Sequence, residues 1–249
     1  MTQFKFEVCA NSVESCIAAQ DGGADRVELC AGIPEGGTTP SYGEIKTARR
    51  LLHSTLLHVI IRPRGGDFLY SQLEMERMKE DILVCKELGV DGVVFGCLTE
   101  SGEVDIAKNM QLMECANGMS TTFHRAFDRT INPQKALEDI IAMGFDRILT
   151  SGQQPKAIEG TALLAELQKK AEGRITLLAG SGVNEDNIKD IFDATGIHEY
   201  HFSARVNIPS KMKNICSNVY MGAPNADELN IQRTSKDRVA ATIRKLCIE

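Results

Sequence analysis

Gly23-Ala24-Asp25, Gly89-Val90-Asp91 and Gly144-Phe145-Asp146 are spaced copies of one short pattern, and Gly196-Ile197-His198-Glu199 is a looser fourth. In each, a glycine ends an amphipathic stretch and an apolar run opens shortly afterwards. Glycine suits that place because it takes the left-handed conformation that closes a helix. Outward from these points, apolar runs alternate with amphipathic stretches along the whole chain. The runs read as strands over 3–9, 25–30, 57–62, 91–96, 120–125, 146–150, 175–180 and 199–203. The stretches read as helices near 12–21, 41–52, 71–88, 103–117, 133–142, 156–170, 184–193 and 235–247. Eight strands, each followed by a helix, predict an α/β chain with a parallel sheet, and eight is the number that closes into a (β/α)8 TIM barrel. An open doubly wound sheet is the competing architecture. The glycine copies precede strands two, four, six and eight only, so the repeating unit is a pair of βα modules.

A barrel of this kind takes about 250 residues, so the 249 residues are expected to form a single domain, 1–249. The 28 basic and 34 acidic side chains leave a net charge of −6. Nothing global draws such a chain to nucleic acid or to an anionic membrane, so any anion site must be built locally. No run approaches the roughly 18 apolar residues of a membrane span. The opening Met1-Thr2-Gln3-Phe4-Lys5-Phe6-Glu7 lacks the basic flank and apolar run of a secretory signal. The cysteines at 9, 16, 30, 85, 97, 115, 216 and 247 are scattered without a C-x-x-C pair. That usage argues for a reducing cytoplasm and against a disulfide framework. One long irregular stretch, 204–232, separates the last strand from the last helix and contains Arg205, Pro209, Lys211, Lys213, Gly222 and Pro224. A lid, an oligomer contact and a loosely ordered surface excursion are all open for it.

Strand residues in a barrel alternate between helix layer and interior. If Phe4, Phe6 and Val8 face the helices, Glu7 and Cys9 face in. If Val27 and Leu29 face out, Glu28 and Cys30 face in. The same reading turns His58, Ile60 and Arg62 inward on strand three, with Arg64 next on that face. Thr122 and His124 turn inward on strand five, with Arg125 and Asp128 following in the loop. His201, Ser203 and Arg205 turn inward from strand eight. Buried ions are costly unless paired, so Glu7, Glu28, Arg62, His124, His201 and Arg205 are expected to form one network. It reads either as a polar plug that sets strand register or as a site at the carboxyl-terminal mouth, where such barrels keep their chemistry.

Three chemistries are compatible with that mouth. The first is an anion grip. Gly180-Ser181-Gly182 follows strand seven and Ser203-Ala204-Arg205 follows strand eight, the usual phosphate-binding loops of this fold, with Ser151 after strand six and Arg64 as further donors. Asn184 is expected to cap the next helix. The second is general acid–base work by Glu7, Glu28, His124, Asp128 and His201, with Arg62 clamping an anionic substrate. The third is a soft-metal site on Cys9 and Cys30, since paired thiolates select copper(I) or zinc over magnesium. Buried cysteine also serves as plain apolar filler.

Several of these residues stand in longer motifs. Glu7-Val8-Cys9, Gly22-Gly23-Ala24-Asp25-Arg26-Val27-Glu28-Leu29-Cys30, Glu35-Gly36-Gly37-Thr38-Thr39-Pro40-Ser41 and Arg62-Pro63-Arg64-Gly65-Gly66-Asp67-Phe68-Leu69-Tyr70 resemble the CutC family, known as copper homeostasis proteins. The resemblance continues through Phe123-His124-Arg125-Ala126-Phe127-Asp128, Leu149-Thr150-Ser151-Gly152 and His201-Phe202-Ser203-Ala204-Arg205. It implies a cytosolic (β/α)8 barrel that self-associates, as a dimer or tetramer, and handles copper. It also implies copper(I) bound by cysteines at the mouth, which correspond here to Cys9 and Cys30. Most of the motif residues are Arg, Glu, His, Asp and Gly, which are not copper(I) ligands. They suit a pocket for a small phosphorylated or carboxylated metabolite, so a barrel enzyme is the alternative to a copper(I)-binding protein.

Overall fold

The computed structural model describes residues 4–213, 219 and 227–247. Strands β1 (Lys5–Ala10), β2 (Arg26–Leu29), β3 (Leu56–Ile60), β4 (Gly92–Phe95), β5 (Ser120–Phe123), β6 (Arg147–Thr150), β7 (Thr176–Gly180) and β8 (Glu199–Phe202) form a closed parallel barrel. β8 pairs back onto β1, with Glu7 opposite His201, so the open-sheet alternative is excluded. The layer outside consists of α1 (Val13–Asp21), α2 (Tyr42–Leu51), α3 (Gln72–Glu87), α4 (Ile106–Cys115), α5 (Pro133–Met143), α6 (Thr161–Ala171), α7 (Ile188–Thr195) and α8 (Lys236–Arg244).

Local sequence explains the helix starts. Ser41 with Glu44 and Ser71 with Glu74 make reciprocal capping boxes on α2 and α3. Asn132 accepts from two backbone N–H groups ahead of Pro133, the first residue of α5. The outward strand residues, Phe6 and Val8, Val27 and Leu29, Val59 and Ile61, join one apolar core with the inner helix faces.

The Gly-x-Asp repeat has a second use besides ending helices. Each aspartate accepts the N–H of the second residue of the preceding strand: Asp25 from Phe6, Asp91 from Leu57 and Asp146 from Thr121, at 3.0, 2.8 and 2.7 Å. A basic side chain flanks two of them, Lys5 on Asp25 and Arg49 on Asp91. The repeat therefore staples strands together at the amino-terminal end of the barrel, away from the mouth.

Three segments differ from the sequence expectation. Residues 204–232 are not irregular throughout: β9 (Arg205–Pro209) and β10 (Asn230–Thr234) form an antiparallel ribbon, while Gly222 and Pro224 lie outside the described residues. α6 starts at Thr161 rather than near 156, because the chain after β6 first makes a loop that Gly152 and Gly160 allow to close. A Cβ on Gly152 would stand 2.4 Å from the Gly160 carbonyl oxygen. Asn184 does not cap α7. Its side chain accepts from Asp186 N–H in a turn, and Asn187 stands at the cap position, its side chain bonded back to Asn184 N–H and the Gly182 carbonyl rather than to the helix.

Candidate functional site

The polar interior is built on β1, β2 and β8, whose register sets Cys9 opposite Glu28 and Glu7 opposite His201. At its base, buried Arg26 forms ion pairs with Glu7 and, at 2.8 Å, with Glu199, which also meets Arg147 at 3.3 Å. Above this layer, Glu7 Oε1 lies 2.7 Å from His201 Nδ1, and His201 Nε2 lies 3.5 Å from Glu28 Oε2. At the top, Cys9 Sγ and Cys30 Sγ are 3.9 Å apart, and Arg205 Nη2 donates to Cys9 Sγ at 3.2 Å.

The charges of this column are set by burial and by the partners. Burial pushes Glu7 up, but Arg26 and then His201 outweigh it and hold the carboxyl well below its ordinary range. Glu28 has no arginine, so burial dominates and raises it to about 8 against the pull of His201. Burial opposes charge on His201, yet its bonds to Cys9 and Glu7 and the nearby Glu28 raise it well above its ordinary value. The hydrogen bond from Cys30, helped by His201 and Arg205, overcomes burial and holds Cys9 well below the ordinary thiol range. That same bond, with burial, raises Cys30. The two sulfurs are thus pushed in opposite directions, Cys9 towards the thiolate and Cys30 towards the thiol. His58 is enclosed between β2 and β4 with its Nε2 against Gly92, and burial lowers it to about 3.

A cavity of about 490 Å³ opens above the column. Both metal candidates, Cys9 and Cys30, lie on it. So do Glu28, Arg62, His124, Asp128 and His201 of the acid–base group, and Ser181, Gly182, Ser203 and Arg205 of the anion group. Glu7 sits one layer beneath.

Several predicted roles need correction. Arg62 and His124 do not join the Glu7–His201–Glu28 column. The Arg62 guanidinium donates to the carbonyls of Glu35, Gly37 and Gly66, so it holds the two glycine-rich loops after β2 and β3. Arg64 does not line the cavity; it pairs with Asp67 and Glu74 on the outside. Asp128 is saturated by donors, accepting from Thr150 Oγ1, from Ser151, from Gln153 N–H and from Arg125 Nε, and so anchors the loop after β6. Ser151 is buried in that anchor and does not line the cavity. Ser181 lines it, but its hydroxyl donates to the Pro155 carbonyl at 2.7 Å. Gly180 does not line it and instead leaves room for its neighbours, since a Cβ there would meet Leu149 at 2.5 Å and His201 at 3.1 Å.

Sequence reading missed Arg26, Arg147, Glu199 and the mouth residue Arg129. Parity was the available signal for two of them: Arg26 shares the face of Glu28 and Cys30, and Glu199 that of His201 and Ser203.

Two groups can hold a metal ion among the described residues: Cys9, Glu28 and Cys30, and Glu7, Glu28 and His201, each with ligand atoms within 4.8 Å of one another. The first is the soft one. A metal about 2.3 Å from each sulfur fits between sulfurs 3.9 Å apart, and two sulfurs favour copper(I) or zinc over hard cations. The second is all oxygen and imidazole, and Arg26 and the His201 contact already neutralise its best ligand, Glu7.

Fold and site together define a (β/α)8 barrel with paired thiols at the floor of its mouth. The sequence profile of the CutC family matches residues 4–206, and the chain belongs to that family. A family protein CutC from Bacteroides thetaiotaomicron is 60% identical over 247 residues, 99% of each chain. The human copper homeostasis protein cutC homolog is 47% identical over 220 residues, 88% of this chain and 80% of its own. The crystal structure of CutC from Streptococcus agalactiae superposes with a TM-score of 0.78 at 36% identity, covering 81% of this chain and 99% of that one. Phosphoribosylanthranilate isomerase from Thermotoga maritima, at 14% identity and a TM-score of 0.59, shares the fold alone.

Proposed function

We propose that the mouth takes up copper(I) as cargo on Cys9 and Cys30, in a cytosolic copper homeostasis protein. The observation that carries this reading is the pair of sulfurs 3.9 Å apart at the floor of an accessible cavity. Cys9 is pulled towards the thiolate by Cys30, His201 and Arg205, which eases the loss of protons that metal binding by thiols requires. Glu28, the third group of this cluster, can add an oxygen donor. The human relative's name supports the assignment, as do the seven described cysteines, all free, which suit a reducing compartment. Self-association, which family membership suggests, is supported by the exposed apolar side chains Val206, Ile208 and Ile231 on the β9–β10 ribbon. Anaerobic copper(I) titration against a competing chelator tests the reading. Cys9→Ser/Cys30→Ser is expected to lose at least a hundredfold in affinity, and unchanged affinity removes these thiols from the site.

A second reading is favoured by one observation that copper does not require. Glu7, His201 and Glu28 form a carboxylate–imidazole–carboxyl chain that can move a proton into the cavity. In this reading the mouth acts on a small anionic metabolite, with Arg205 and the loops after β7 and β8 holding its charge. A thermal-shift screen of phosphorylated and carboxylated metabolites tests it, because a ligand at 100 times its dissociation constant adds about 2.7 kcal/mol. A shift in the wild type that Arg205→Gln abolishes supports it, and no shift with any anion contradicts it.

A further inference from the structure

The cavity has an unequal hydrogen-bond inventory. Among the described residues that line it, the buried side-chain nitrogens without a partner are Arg62 Nε, His124 Nε2 and Arg205 Nε. The arginine nitrogens are donors by nature. His124 becomes one through its backbone setting. It stands at the N-cap of the short helical turn Arg125–Arg129, where its Nδ1 accepts the Ala126 N–H at 3.3 Å. A neutral ring that accepts at Nδ1 carries its hydrogen on Nε2. The ring is 3% exposed, and burial and the Arg62 charge keep it uncharged, its pKa lowered to about 3.

Buried donors without acceptors are costly and rare in folded proteins. Here two of the three, on Arg62 and His124, stand together on one wall. The Phe68 ring lies 4.9 Å from the His124 ring and 5.1 Å from the Arg62 guanidinium, so one aromatic side chain covers both. Three bonds to carbonyls fix the Arg62 guanidinium, so its Nε–H cannot turn away to a partner elsewhere. The charges lining the cavity are unequal in the same sense. Arg62, Arg125, Arg129 and Arg205 face Glu28 and Asp128, of which Asp128 is bonded to Arg125 and Glu28 is raised to about 8. In a chain of net charge −6 this is a local positive site. Its volume of about 490 Å³ suits a small molecule.

We infer that the mouth binds a small organic oxyanion, a carboxylate or phosphate ester, whose oxygens accept the Nε2–H of His124 and the Nε–H of Arg62 while Arg129 and Arg205 face its charge. This deepens the small-molecule reading and is independent of copper. His124 is a binding residue in it, a neutral donor that selects for acceptor oxygens.

The test is a titration of the full chain with inorganic phosphate, glycerol 3-phosphate and malonate at constant ionic strength. It is followed by calorimetry and by the ¹⁵N and ¹H resonances of the His124 imidazole. Saturable binding that moves the Nε2–H resonance is expected, and the relative affinities separate phosphate from carboxylate recognition. His124→Asn keeps an acceptor for the Ala126 N–H and removes the Nε2 donor, so it is expected to weaken binding about tenfold or more without loss of thermal stability. Arg129→Gln, at an exposed position, is expected to weaken binding with the fold unchanged. No saturable binding of any of the three anions overturns the inference, as does binding that neither variant weakens. Anion binding that His124→Asn weakens, in a chain that turns over none of the screened phosphorylated or carboxylated metabolites, would instead sink the acid–base reading and leave this site standing.

Discussion

Glu7 is shared by Arg26 below it and His201 beside it, and its side chain is 1% exposed. A buried carboxylate in that position depends on both partners, because removing one leaves an uncompensated charge in a medium that solvates it poorly. Arg26→Leu is therefore expected to destabilise the fold by about 3–5 kcal/mol in urea denaturation. Adding Glu7→Gln to that variant should recover part of the loss, since the stranded charge is then gone. Two equal single losses that simply add would show that the pair is not coupled. At this scale strand parity made much of the site legible: it turned Glu7, Cys9, Glu28, Cys30, His124 and His201 inward from the identity of their apolar neighbours. What parity lacks is the destination of a long side chain after it turns in. Arg62 points into the mouth, yet its guanidinium is claimed by three carbonyls of glycine-rich loops. Asp128 was legible as a polar loop residue, but not as the acceptor that gathers Thr150, Ser151 and Gln153 around itself.

At the scale of elements, the Gly-x-Asp repeat was the clearest signal in the sequence, and its pairwise occurrence marked β2, β4 and β6 correctly. The aspartates were not legible as staples, because their acceptors reach an N–H near the start of a strand far away in sequence. The boundaries that slipped, at α6 and α7, are those where side-chain bonds such as Asp186 N–H to Asn184 hold a turn before the helix can begin. Gly180 is an element-scale feature as well. β7 must leave space beside β8 for His201, so Gly180→Ala is expected to cost about 1–3 kcal/mol through overpacking. It should also shift the His201 ring resonances, because the added methyl meets His201 as well as Leu149. A crystal structure of the variant with His201 unmoved and stability unchanged would contradict this account of the glycine.

For the whole molecule, the interior titrations make stability depend on pH in a direction that can be worked out. His124 titrates near 3 in the fold and near 6.5 when unfolded. Between those values the unfolded chain binds the extra proton, so this contribution is complete above about pH 6.5 and is lost as the pH falls towards 3. His58 acts in the same direction over the same window. Glu28 runs the other way: raised from 4.5 to about 8, it favours the fold at low pH, and that contribution fades as the pH rises through 8. Each group contributes at most about 1.4 kcal/mol per pH unit. Replacing His124 by asparagine should therefore flatten the dependence of unfolding free energy on pH by up to that slope between pH 4 and 6, and should leave pH 7–8 unaffected. An unchanged slope would show that His124 is already protonated in the native protein.

Copper(I) at the two thiols is the claim on which the functional account turns, and X-ray absorption at the copper edge of the one-to-one complex tests it most directly. The account predicts a first shell of two sulfur scatterers in the wild type, replaced by nitrogen and oxygen, or lost with the bound copper, in Cys9→Ser/Cys30→Ser. A shell without sulfur in the wild type, or the same sulfur shell in the double variant, would contradict it.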